Sequence, residues 1–189
     1  MVLGVLCWAG VDDARVDSLA AHVIERQMED GGWNCRATPG YGGATHGSFH
    51  TTITALEALL EYERFRPGRA REAQAAQSRG REFLLVHRLS RSHRTGRIVK
   101  PEMLRSVFPA RWHYDVLRGL DYFQDAAAPC DPRLADAIAV VERRRQDDGR
   151  WVANKGYPGK TFFDLEPAGK PSRWNTLRAI RVLRWWHRG

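Results

Sequence analysis

Cysteine is scarce in this chain, and long hydrophobic runs are missing. Its 189 residues hold three cysteines, Cys7, Cys35 and Cys130, odd in number, far apart and without a CxxC pair. That spacing argues against a disulfide framework and favours reduced thiols in a cytoplasmic setting. No run reaches the roughly 18 apolar residues of a membrane span, which leaves a peripheral role as the only contact with a bilayer. The apolar opening, Met1 to Gly10, has no basic segment before it. It therefore reads as the tail of a buried helix rather than a secretory signal. No segment reads as a strand. No helix-turn-helix, zinc-finger or RNA-binding signature is found, so nucleic acid is not an expected partner.

Positive charge is what the chain has in excess. Its net charge is +8, with 43% hydrophobic and 28% charged residues. Between Arg64 and Arg111 there are 13 Lys or Arg against three Glu. Nearly all of these cations are arginine, whose planar fork suits phosphate and carboxylate. A solvated basic face is the plain alternative.

Internal repetition is the stronger signal. Gln27-Met-Glu-Asp-Gly-Gly-Trp33 recurs as Gln146-Asp-Asp-Gly-Arg-Trp151, one residue shorter. Amphipathic stretches precede both, over 16–26 and 134–145, with Leu134, Ile138, Val141 and Arg145 at helical spacing. Three later segments match one another, starting at Ser48, Trp112 and Ser172, and aligning Leu56, Leu120 and Ile180 puts them about 60 residues apart. Hence a single all-α domain is expected, of about three helical hairpins over 11–65, 66–128 and 129–189. Residues 1–10 would then end a preceding helix. Residues 66–79 fit either a helical connector or a surface loop, and Gly and Pro punctuate loops at Pro39–Gly43 and Gly156–Gly159.

Gln27-x-x-x-Gly31-x-Trp33 and Arg79-Gly80-x-x-Phe83-Leu84 resemble the two halves of the QW repeat of the squalene cyclase and prenyltransferase α/α-toroid superfamily. The resemblance implies a partial ring, with the second helix of each hairpin lining a hollow. Three hairpins make half a ring, so either a truncated chain or self-association to cover its edges is expected. It also implies an enzyme that handles an isoprenoid or its diphosphate, by acid-initiated cyclisation or prenyl transfer.

In such relatives the active groups lie at the starts of the inner helices. Here those starts carry Asp115, His50, His113 and Tyr114 as candidate catalytic groups. Arg111, Arg173, Trp112, Trp174, Asn175 and Phe49 are candidate substrate contacts. Asp115 alone matches the Asp-x-Asp-Asp acid motif, at its last position. Asp12-Asp13 fits a helix-capping pair better. His50 matches the prenyltransferase zinc histidine, but the companion Asp-x-Cys is missing. Cys35 and His50 are thus weak metal candidates, and Cys35, His46, His50, His113 and Asp115 form no known ligand pattern. No cofactor is assigned; zinc or magnesium is what the resemblance leaves open. The basic loop His87 to Arg97, with Arg111, Arg118 and Arg173, suggests an anion pocket, and Glu166 is a candidate ion-pair partner for Arg111 or Arg173. The alternative to an enzyme is a non-catalytic ligand-binding or scaffold protein with an arginine-rich anion pocket.

Overall fold

The computed structural model describes residues 1–37, 40, 42–160 and 162–188. Pro39, counted among the loop residues above, lies outside them. Among the described residues seven α-helices carry the fold: α1 (Val2–Trp8), α2 (Ala14–Glu25), α3 (Phe49–Phe65), α4 (Arg71–Val86), α5 (Val116–Asp125), α6 (Ala135–Arg143) and α7 (Arg173–Trp186). Two short strands are an addition to the all-helical expectation. β1 (Trp151–Val152) and β2 (Pro171–Ser172) pair antiparallel and tie together the ends of the intervening loop. Two residues are too few for an alternating pattern to register. Among the described residues no helix is long and apolar enough to cross a membrane. The chain forms two compact units, residues 1–84 and 85–189.

In the first unit α1 lies on α3. A Cβ at Gly4 would sit 3.3 Å from the Ala58 Cα, so glycine allows this close approach. α1 buries Leu3 and Cys7 but exposes Val2, Val5 and Trp8, so the apolar opening is half covered rather than enclosed. α2 starts at Asp13, whose carboxylate accepts the Arg15 N–H at 2.7 Å. Of the Asp12-Asp13 pair, Asp13 is therefore the cap, and Asp12 pairs with Arg66. Residues 71–79, left open between connector and loop, are the first half of α4. Ala73 and Ala76 are buried there, as is Ala70 just before, because small side chains let the helix approach its neighbours.

The turn from Gln27 to Trp33 locks α2, α3 and α4 together. Trp33 Nε1 donates to the Val23 carbonyl at 2.7 Å, and its backbone N–H donates to Thr52 Oγ1 at 2.9 Å. Gln27 Nε2 donates to the carbonyls of Gly31 (2.7 Å) and Ala76 (2.9 Å). Arg79 donates to Gln27 Oε1. Gly80 faces the Trp33 ring so closely that a Cβ would lie 2.7 Å from it.

The second unit repeats this turn before α7. Trp151 Nε1 donates to the Val141 carbonyl at 2.8 Å, and Trp151 N–H to Thr176 Oγ1 at 3.1 Å. Asp148 accepts the Arg150 N–H at 2.9 Å, as Asp30 accepts that of Gly32 at 3.0 Å. The backbone bond Gln146 N to Arg150 O matches Met28 N to Gly32 O. So the counterpart of Gln27 is Arg145, not Gln146, and the guanidinium of Arg145 lies over the Trp151 ring at 5.9 Å. That corrects the one-residue gap in the sequence comparison.

A second correction concerns α5. It begins at Val116, after the cap Asp115, so Trp112, His113 and Tyr114 precede the helix. Ser48, Asp115 and Ser172 are the three equivalent N-caps. Phe123, not Leu120, is then the counterpart of Leu56 and Ile180. Residues three apart share a helix face, so apolar periodicity alone did not fix this register.

Candidate functional site

The predicted residues divide between the two units. In the first, Phe49 is buried and packs on Phe83 with ring centroids 5.7 Å apart. His50 is half-buried in the first turn of α3, and its carbonyl accepts the Thr54 hydroxyl at 3.0 Å. Cys35 is exposed beside an open cleft of about 320 Å³, shared with Trp33 and Thr51. Among the described residues no three His, Cys, Asp or Glu side chains gather as ligands. The donor set for a zinc or magnesium site does not assemble from the described residues.

In the second unit Asp115 is fully buried. Its two oxygens accept the backbone N–H groups of Arg118 at 2.9 Å and Val107 at 3.3 Å. Burial raises its proton affinity, opposed by the charge of Arg178 and by those hydrogen bonds. Tyr114 is also enclosed, and its hydroxyl donates to the Leu89 carbonyl at 2.7 Å. Burial pushes that phenol well above its usual range. Arg118, buried, donates to the His113 carbonyl at 2.6 Å. Arg91, from the basic loop, reaches Asp136 at 2.9 Å and the Gly96 carbonyl at 2.9 Å. These groups hold the unit together; Asp115, Tyr114 and Arg118 face protein, while Arg91 is partly exposed.

The start of α7 is similarly occupied. Ser172 accepts the Asn175 N–H at 3.0 Å and donates to Glu166. Glu166 also accepts the Arg173 N–H at 2.7 Å, and the Arg173 guanidinium lies 3.8 Å away. Asn175 is buried and ties the carbonyls of Ser106 (2.9 Å) and Val152 (3.0 Å). Trp174 stacks on Phe108 at 4.9 Å. The positive ends of α5 and α7 thus already carry the chain's own carboxylates, Asp115 and Glu166. A helix start neutralised in this way offers little to a diphosphate.

Cations without an ion-pair partner among the described residues stand beside these starts instead. An open cleft of about 730 Å³ is lined by Phe108, Arg111, Lys155, Lys160, Phe162 and Phe163, among others. Arg111 has a left-handed backbone (φ +52°), and Gly159 approaches it so closely that a Cβ would lie 3.0 Å from its Nη1. Phe162 and Phe163 are exposed. The carboxylates Asp164 and Glu166 line it too, Glu166 being held by Ser172 and Arg173. The three cations outnumber them and, beside exposed aromatic surface, suit an amphiphilic anion, and the volume is in the usual range for a small-molecule site.

Tyr157 also lines this cleft, and behind it His113 is stacked between Trp112 (3.7 Å) and Tyr157 (3.4 Å). Burial, then the charges of Arg111 and Arg118, lower its proton affinity. The unfolded chain therefore binds this proton more readily than the folded one. The contribution of neutral His113 is fully present above the ordinary imidazole range and is lost as pH falls through the lowered folded value. Melting temperature should fall between about pH 7 and pH 5, and His113→Gln should flatten part of that slope. An unchanged slope in the variant would refute the assignment.

Sequence reasoning missed Tyr157, Phe108, Lys155 and Lys160. They lie in irregular loops, where neither periodicity nor a motif marks a position; the only available signal was the density of aromatic and basic residues between Gly156 and Phe163. Comparison with protein-family models, curated proteins and solved structures returned no match for the chain.

Proposed function

We propose that the chain is a non-catalytic helical-repeat module, akin to the squalene cyclase and prenyltransferase toroids, that binds an amphiphilic anion of prenyl diphosphate type in the cleft at Arg111. The repeated Asp-Gly-x-Trp turn, with matching hydrogen bonds in both units, supports the kinship. The observation that carries the non-catalytic reading is Asp115. It is the only acid at the family's acid position, and both its oxygens are held by backbone N–H groups in a fully buried setting. Acid-initiated cyclisation needs a proton donor that meets the substrate. Asp115 meets the turn before its own helix instead. In the cleft, Arg111, Lys155 and Lys160 would hold the diphosphate while Phe108, Phe162 and Phe163 receive the apolar chain.

Calorimetric titration with farnesyl diphosphate tests this. Arg111→Ala with Lys160→Ala should weaken binding at least about tenfold, the loss expected when two exposed charge contacts to phosphate are removed. Asp115→Asn should leave the affinity within about twofold. Absence of saturable binding by the wild-type protein, or binding indifferent to the double variant, would remove this cleft as the site.

A further inference from the structure

The two Trp turns have unequal surroundings, and the difference defines a second surface, independent of the cleft at Arg111. In the first unit α4 lies across the Trp33 turn. It sets Gly80 against Trp33 and Leu56, its Ala76 carbonyl on Gln27, and Gln77 on Glu63 at 2.7 Å. Leu56 is completely covered as a result. In the second unit the equivalent positions are Trp151, Ile180, Arg145 and His187. Ile180 is 40% exposed, where its counterpart Leu56 is at 0%. Leu183 is half-buried, where Leu59 is fully buried. These residues line an open groove of about 700 Å³ with Arg184 and Arg188.

We infer that this groove is the docking site for an acidic amphipathic helix of a partner protein, seated as α4 is seated in the first unit. Two features specify the occupant. The Trp ring leaves room only for glycine at the crossing point, since even a Cβ at Gly80 would lie 2.7 Å from Trp33. The rim differs in charge from its counterpart: Arg145 replaces Gln27, Arg184 replaces Leu60 and His187 replaces Glu63. Among the described residues Glu142 pairs with His187, at 3.4 Å. Carboxylates on the incoming helix would complement the arginines. A second copy of this chain is a poorer occupant, because its own α4 brings Arg71, Arg79 and Arg81 to a basic rim.

The probe is a helix-stapled, fluorescent peptide of residues 71–86 carrying Arg71→Glu, Arg79→Glu and Arg81→Glu, titrated with the full chain. Saturable binding is expected. It should weaken at least about tenfold with Ile180→Glu or Arg184→Glu in the protein, or with Gly80→Leu in the peptide. The unmodified basic peptide should also bind more weakly, and added salt should weaken the acidic one. Ile180 and Arg184 are exposed, so both variants should fold, which circular dichroism checks. No saturable binding up to about 1 mM, or binding that both protein variants leave unchanged, overturns the inference. So does a dimer of the chain that Ile180→Glu dissociates, which would name a second copy as the occupant. Farnesyl diphosphate binding in Ile180→Glu should stay at the wild-type level, so the two sites fail or stand separately.

Discussion

Trp33→Ala is expected to destabilise the chain by about 4 kcal/mol, the largest effect of any single truncation here. The indole is 3% exposed and closes three elements at once. Its ring packs on α4 at Gly80 and its Nε1 satisfies the Val23 carbonyl at the end of α2. Its backbone N–H is held by Thr52 of α3. Truncation removes a large buried surface and leaves a cavity that three helices must collapse to fill, and it orphans the Val23 carbonyl. Trp33→Phe restores much of the volume but not the hydrogen bond, so it should fall between. Urea unfolding followed by circular dichroism measures both. A loss under about 1 kcal/mol for the alanine variant would mean that the turn does not lock the helices.

Asp115→Ala should cost about 3 kcal/mol, and Asp115→Asn no more than about 1 kcal/mol. Alanine leaves the N–H groups of Arg118 and Val107 buried without an acceptor. It also exposes the start of α5 to the uncompensated charge of neighbouring arginines. Asparagine caps a helix about as well as aspartate and removes a charge whose ionisation burial opposes. A catalytic acid would behave in the opposite way: both substitutions would abolish turnover and spare stability. Equal destabilisation by alanine and asparagine would show that the charge, not the cap, matters.

The helices were legible because long segments repeat an apolar face every three or four residues, and the Asp-Gly-x-Trp turn marks where two of the hairpins bend. Registers within that pattern were less so. The α5 alignment slipped by one helical step because Leu120 and Phe123 are both buried on one face. Gln146 drew the comparison by residue type, while Arg145 holds the position next to the tryptophan. The site was legible in composition but not in arrangement. Arg111 was singled out and borders the cleft, yet its companions Lys155 and Lys160 come from a loop without periodicity. Glu166 does find its predicted type of partner, through the backbone and side chain of Arg173. Asp115, Tyr114 and Asn175 have the residue types of an active site. Their burial against backbone groups, which no linear pattern reveals, makes them supports of the fold.

A single-turnover incubation separates binding from chemistry most directly. Excess protein is mixed with labelled farnesyl diphosphate, at concentrations where calorimetry shows the ligand bound, and the recovered label is resolved by chromatography. A non-catalytic module returns the ligand unchanged, with no released diphosphate. A cyclised or transferred prenyl product, lost in Asp115→Asn, would contradict the capping role assigned to Asp115 and restore it as an acid.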